Sequence, residues 1–293
     1  MSQPPLFRFA PSPNGLLHLG HAYAALFAQK AARDLGGELL LRIEDIDTAR
    51  CKPEFDQAMQ QDLEWLGLVF EQPPLRQSER FGLYAEIAET MRQEGLIYPC
   101  FCSRSTVAAS ASGTDPDGAP LYAGTCRHID KAEARARITG GEPVVWRIDM
   151  SRALRRLTGP LHITEYLVLG HDLATSRTRE RIAHPERWGD SVLVRKDVPT
   201  SYHLSVVIDD TAQNITHVTR GMDLYHATDL HRLLQALLGL ATPIYAHHGL
   251  VRDGTEQKLS KSRGSTGLRD LRELGWTPER VRTELGFGDP TPA

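Results

Sequence analysis

Two short segments of this 293-residue chain carry the residue types that phosphate chemistry needs. The first is His18-Leu19-Gly20-His21, placed immediately before an Ala-rich segment. A helix N-terminus offers unsatisfied N–H groups and positive potential, so it holds phosphates well. Gly20 allows a ligand close to the backbone, and His18 and His21 reach phosphate oxygens from one side. The second is Lys258-Leu259-Ser260-Lys261-Ser262, in a polar, Gly-rich loop. Two lysines three residues apart neutralise a triphosphate as charge builds in an in-line displacement. Alone, the histidines are a chance pair among twelve, and the lysines a solvated basic loop; in this order, behind an α/β pattern, they reinforce each other.

Three further charges fall at the carboxyl ends of expected strands, where open parallel sheets bind ligands. Arg8 lies near the end of the first strand, Glu44 ends ELLLRIE, and Arg220 ends ITHVTR. Each is an ordinary surface charge by itself. Converging on one crevice they suit a small zwitterion, an Arg for a carboxylate and Glu44 for an ammonium, which makes an amino acid the expected substrate class. A third group, Cys100, Cys102 and Cys126, clusters in sequence as a metal site does in a reducing compartment. Cys51 has no such companion and reads as a buried small hydrophobe.

These residues need a scaffold. PLFRFA reads as a strand broken by the PSPNG turn, LHLGHAYAALFAQKAARDLGG as a loop entering a helix, and ELLLRIED as a strand buried on both faces, together a parallel βαβ unit. PEFDQAMQQDLEWLG and SERFGLYAEIAETMRQEG read as helices, the second capped by Ser78. Residues 103–125, rich in Ser, Ala, Gly and Pro, read as an exposed loop. PVVWRIDM and PLHITEYLVLG read as strands of a small inserted domain. SYHLSVVIDD is ambiguous between strand and helix; ITHVTRG and PIYAHHG are strands flanking the amphipathic helix DLHRLLQALLG; the tail suggests two short helices.

Composition sets the outer limits. With 41% hydrophobic and 24% charged residues, the chain matches an ordinary globular protein of roughly two domains, and no apolar stretch approaches a membrane span. The N-terminus has no basic and apolar leader pattern, so the expected location is the cytoplasm. Four cysteines are too few for a disulfide scaffold. The net charge of −3 (34 − 37) announces no nucleic-acid partner. One candidate basic patch is residues 177–196, with Arg177, Arg179, Arg181, Arg187, Arg195 and Lys196 set against Glu180, Glu186 and Asp190.

HLGH and KLSKS resemble the paired signatures of class I aminoacyl-tRNA synthetases, which activate an amino acid with ATP and release pyrophosphate. RFAPSPNGLLHLGH, LRIEDIDTAR, YHLSVVIDD, ITHVTRGMDL and KLSKS are, in order, similar to the catalytic core of glutamyl-tRNA synthetases over roughly residues 6–276. The resemblance implies that Arg8, Phe9, Ala10, Pro11 and Ser12 hold glutamate together with Glu44, Tyr202 and Arg220. It implies that His18, Gly20, His21 and Lys261 bind ATP with Mg²⁺, that His18, His21, Lys258 and Lys261 are catalytic, and that SYHLSVVIDD is helical. The fold it implies is a Rossmann-type parallel-sheet catalytic domain with an inserted smaller α/β subdomain and a short helical C-terminal stub. The corresponding segments are 1–98 and 191–250 for the two catalytic halves, 99–190 for the insert, and 251–293 for the KLSKS loop and stub.

The sequence stops just past KLSKS, where glutamyl-tRNA synthetases continue into an anticodon-binding domain. This resembles the truncated glutamyl-queuosine tRNA(Asp) synthetase family, which attaches glutamate to the queuosine base of tRNA(Asp). The expected partners are ATP, L-glutamate and queuosine-modified tRNA(Asp), with the chain a monomer. A 3′-end glutamyl-tRNA synthetase and a non-catalytic tRNA- or amino-acid-binding paralogue are the alternatives. Cys100, Cys102, Tyr122 and Cys126 match the family's C-x-C…Y-x-x-x-C zinc pattern, implying one structural zinc per chain, with His128 a rival to Tyr122 for the fourth position. Replacing Lys261 with Ala is expected to lower glutamate-dependent pyrophosphate exchange roughly a hundredfold, the usual effect of removing a preorganised charge donor, with far less effect on glutamate affinity. Undiminished exchange would remove the KLSKS loop from the chemistry.

Overall fold

The computed structural model describes residues 3–168, 170–251 and 267–288. It begins with the expected βαβ unit: β1 (Leu6–Phe9), α1 (Leu19–Asp34) and β2 (Glu38–Ile43). β1 and β2 run parallel, with Leu6 opposite Glu38 and Phe9 opposite Leu41. The side of α1 turned inward is mostly alanine (Ala22, Ala25, Ala28, Ala31, Ala32), so the helix seats close to the sheet, with Leu26 and Phe27 filling the gaps. Gly36 takes a left-handed φ of +62° to end the helix. At Gly37 a Cβ would sit 2.2 Å from the carbonyl oxygen of Pro5, the same oxygen that accepts from the Glu38 amide and opens the β1–β2 ladder.

The chain continues through α2 (Pro53–Trp65), β3 (Leu75–Arg76), α3 (Phe81–Gln93), β4 (Ile97–Cys100), α4 (Arg104–Ser110), α5 (Lys131–Thr139), β5 (Val145–Ile148), α6 (Met150–Arg155), β6 (His162–Tyr166), β7 (Thr178–Ile182) and β8 (Val192–Val194). It closes with α7 (Tyr202–Ala212), β9 (His217–Gly221), α8 (Ala227–Leu238), β10 (Ile244–His248), α9 (Leu268–Glu273) and α10 (Pro278–Glu284). The main sheet has seven strands in the order β3-β2-β1-β9-β10-β6-β7, all parallel except for the β6–β7 hairpin. Strand order reverses between β1 and β9, which opens a crevice at their carboxyl ends. Along β2, Leu39, Leu41 and Ile43 join the core beneath α1, whereas Leu40 joins the core shared by α3, α7 and α8, so both faces of the sheet are covered. β4, β5 and β8 form a separate antiparallel sheet.

Several local expectations change. The strand in PLHITEYLVLG is β6, which joins the main sheet beside β10 rather than an inserted sheet. Its alternation of buried Ile163 and Glu165 with more exposed residues marks a strand but carries no address. Ser78 does not cap α3: it lies in a 3₁₀ turn, Gln77–Arg80, and donates its hydroxyl to Asp45 instead. The segment expected as loop contains α4, capped by Ser103, whose hydroxyl accepts from the Thr106 amide. α5 and α6 are likewise capped by Asp130 and Asp149, signals too local to outweigh weak periodicity. Among the described residues, no helix is long and apolar enough to cross a membrane.

Candidate active site

A cavity of about 560 Å³ lies at the strand-order reversal, and every described residue expected to bind glutamate or ATP lines it. Its floor is an ion network. Asp210 of α7 accepts from Arg8 Nε at 3.0 Å and lies 2.8 Å from Arg42 Nη1, while Arg42 also donates to Glu44 at 3.3 Å. Burial opposes ionisation of Asp210, but Arg8 and Arg42 overcome it and hold the carboxyl below its usual range. Glu44 is shifted the other way: its burial outweighs the help of Arg42 and Arg8. Arg42 and Asp210 were not anticipated from sequence. Arg42 sits inside the apolar run ELLLRIE, and its being fully buried there is the one signal that a partner carboxylate had to exist.

Arg220 is different. It is 6% exposed at the end of β9, yet among the described residues no carboxylate lies within ion-pair distance of it. Its guanidinium donates to His247, Thr228 and His231, and lies over the Tyr245 ring at 5.1 Å. Burial, reinforced by the Arg220 charge, pushes His203 down to about 4, His247 to about 2, and His231 well below the ordinary imidazole value. On the floor and this wall, three guanidiniums (Arg8, Arg42, Arg220) thus face two carboxylates (Glu44, Asp210). Asp210 is taken up by Arg8 and Arg42 and Glu44 by Arg42, so Arg220 is the guanidinium of this set without an ion pair among the described residues.

The opposite end of the cavity is the N-terminus of α1. His18 caps the helix by accepting from the Gly20 amide at 3.1 Å, and His21 Nδ1 accepts from the His18 amide at 3.2 Å, a reciprocal capping box. A Cβ at Gly20 would sit 2.9 Å from His18 Cε1, so this glycine makes room for the capping imidazole. Lys258 and Lys261 lie outside the described residues. Asp223, Tyr23 and His248 also line the cavity and were not nominated; His248 ends a strand carboxyl-terminally, the same positional signal that picked out Arg220.

In the small sheet's loops, the Cys100, Cys102 and Cys126 sulfurs all lie within 4.8 Å of one another. Cys102 Sγ is 3.6 Å from both Cys126 Sγ and the Tyr122 hydroxyl. Tetrahedral coordination with 2.3 Å bonds places sulfurs about 3.8 Å apart, close to the Cys102–Cys126 separation, so the donor set is of a kind that could hold a metal. His128 is exposed and falls outside the group. Next to Cys126, Arg127 pairs with the buried Asp190, which also accepts from Tyr98 and the Met150 amide. Cys51 is half-buried rather than in the core, with its sulfur 3.6 Å from Ser12 Oγ.

The basic stretch 177–196 is largely engaged within the fold. Arg179 and Arg181 pair with Glu165, Arg181 also with Asp229, and Arg195 with Asp47. A second cavity of about 410 Å³, which shares Ser12, Glu44 and Tyr202 with the first, adjoins that side.

The neutral histidines set an acid limit on stability. The unfolded chain binds protons near pH 6.5 whereas the folded one does so near 4 or lower, so stability is full above pH 6.5 and falls as pH drops toward 4. Each such imidazole costs at most about 1.4 kcal/mol per pH unit in that window. Unfolding midpoints measured from pH 7.5 to 4.5 are expected to fall, and His203→Asn to flatten the dependence; identical slopes in both proteins would contradict the assignment.

The family described as tRNA synthetases class I (E and Q), catalytic domain, matches residues 6–287. A glutamyl-Q tRNA(Asp) synthetase of Rhodobacter capsulatus is 44% identical over 96% of this chain and 99% of its own length. A glutamate–tRNA ligase of Syntrophus aciditrophicus is 35% identical over 98% of this chain, which spans 57% of that protein. The crystal structure of a glutamate tRNA ligase from Elizabethkingia meningosepticum in complex with its amino acid superposes with a TM-score of 0.71 at 27% identity, covering 97% of this chain and 60% of that one. The doubly wound sheet, the crevice at its reversal and these matches agree: the chain belongs to the class I tRNA synthetases of the E and Q type, as a catalytic domain of that family.

Proposed function

We propose that this chain activates L-glutamate with ATP as glutamyl-adenylate and transfers the glutamyl group to the queuosine base of tRNA(Asp). The observation that carries the amino-acid choice is Arg220, a buried cation with no carboxylate partner among the described residues. In this reading the glutamate side-chain carboxylate is its counter-ion, Glu44 receives the α-ammonium, and Arg8 with Tyr202 and the Phe9–Ser12 backbone bounds the rest of the amino acid. The α-carboxylate attacks the α-phosphorus of ATP and pyrophosphate leaves. His18, Gly20 and His21 at the head of α1, with Lys258 and Lys261, stabilise the charge on the phosphates, and Mg²⁺ accompanies ATP. A hydroxyl of the acceptor then attacks the adenylate carbonyl and AMP leaves. The reading carries a cytoplasmic location with it, and the chain acting as a monomer.

The acceptor is supported by the R. capsulatus relative, whose name states it and whose full length this chain matches almost end to end. Both a 3′-terminal ribose and the cyclopentene-diol of queuosine offer neighbouring hydroxyls, so the same adenylate suits either. The S. aciditrophicus relative favours the 3′ end as the second reading. Labelled glutamate is expected to charge tRNA(Asp) containing queuosine, and to do so undiminished after the terminal adenosine is trimmed. Loss of charging on trimming, or preference for queuosine-free tRNA(Glu), would transfer the assignment to the 3′ end.

Cys100, Cys102, Cys126 and Tyr122 would hold one zinc ion, which ties loops together and supplies no chemistry to the reaction. Elemental analysis of chelator-free protein should find about one zinc per chain, lost with Cys100→Ser together with thermal stability. Metal-free protein of unchanged stability would overturn this.

A further inference from the structure

Arginine only donates hydrogen bonds, so whatever surrounds Arg220 must present lone pairs to it. Nη1 lies 3.1 Å from His231 Nδ1 and Nε lies 3.3 Å from His247 Nε2. Both nitrogens therefore act as acceptors, which fixes each tautomer. His231 carries its proton on Nε2 and passes it toward His203 Nδ1 at 3.1 Å. Thr228 Oγ1 accepts from Nη2 and turns its own proton toward His247 Nε2 at 3.1 Å, sharing that nitrogen's single lone pair with Arg220 Nε. His247 keeps its proton on Nδ1, facing Glu165 at 3.9 Å. The order of protons is set throughout by the one group that never gives up its charge.

We infer that Thr228, His231 and His247 are positioning residues that fix the Arg220 guanidinium without neutralising it, and so determine the preference for a carboxylate over a carboxamide in the cavity. This deepens the glutamate reading and rests on it. Three neutral acceptors hold the side chain in place while its charge stays uncancelled. A ligand carboxylate supplies the missing counter-charge; a glutamine amide offers only a dipole and leaves the cation uncompensated. A carboxylate in the shell would hold Arg220 equally well but would remove that discrimination.

The surroundings keep the shell neutral. From β6, Glu165 is taken up by Arg179 and Arg181 of β7; from α8, Asp229 is taken up by Arg181. Tyr225 and Tyr245 pack their rings against His247, and His248 follows it on β10. From β1, Arg8 is a second positive charge whose field acts on His231. From α7, Tyr202 and His203 pack on His231, and Asp210 is committed to Arg8 and Arg42. Burial and these cations disfavour protonating any of the three imidazoles.

The test is glutamate- and glutamine-dependent pyrophosphate exchange in the native protein and three variants, with unfolding midpoints measured for each. Native exchange with glutamate is the control for the reading itself; its absence would sink that reading first. Given native exchange, His247→Glu should raise the glutamate KM about a hundredfold and narrow the glutamate-to-glutamine preference, with kcat and the ATP KM within about threefold. His231→Leu should raise the glutamate KM about tenfold, and His231→Asn, which keeps an acceptor atom, should restore it to within about threefold. An unmoved glutamate KM in His247→Glu and His231→Leu, or a fall in kcat with the glutamate and ATP KM values rising together, would overturn the inference. The native protein gives a check that needs no variant: the glutamate KM should be flat from pH 8 to 6, and an acid limb near pH 6.5 would show that a shell histidine titrates in the working range.

Discussion

Asp210 accepts from Arg8 and from Arg42 in a floor where none of the three side chains reaches bulk water freely. These residues come from β1, β2 and α7, so a single carboxylate fixes the spacing of the sheet's first two strands against the helix that bears Tyr202. A buried charge without its partner costs several kcal/mol, and the arrangement is therefore effectively all or nothing. The charge arrangement of the cavity floor follows from it. With Asp210 neutralising part of the arginine charge, Glu44 is held next to Arg42 and Arg220 is left as the excess.

Much of this was legible in the residues. The βαβ opening was plain because its strands are continuously apolar and its helix is closed by two glycines, and strand-end position alone nominated Arg8, Glu44 and Arg220. Less legible was anything whose meaning depends on a distant neighbour. Arg42 reads as an interruption of an apolar run until Asp210, far along the chain, is seen beside it. His231 reads as one more polar residue in an amphipathic helix, although it is buried against Arg220. β6 was recognisable as a strand but not assignable to a sheet, because alternation reports faces and not neighbours.

A comparable hub holds the smaller sheet. Asp190 is fully buried and collects the Tyr98 hydroxyl, the Arg127 guanidinium and the Met150 amide. Arg127 directly follows Cys126, so the loop that brings Cys126 to the other two thiols is also held by this carboxylate. The Arg127–Asp190 pair thereby anchors the loop one residue from Cys126, which helps a long Ser- and Gly-rich connection without much core to keep its thiols together.

The Arg8–Asp210 contact closes a loop of 202 residues, and β1 pairs with β9 across a similar span. Contacts this far apart in sequence form late, because chain entropy must be overcome before they return any stabilisation. β1 therefore waits for β9, with its apolar edge open in the meantime. Ligand-binding competence arrives only at the end of folding, and a chain interrupted before α7 has every opening element of the crevice but no pocket.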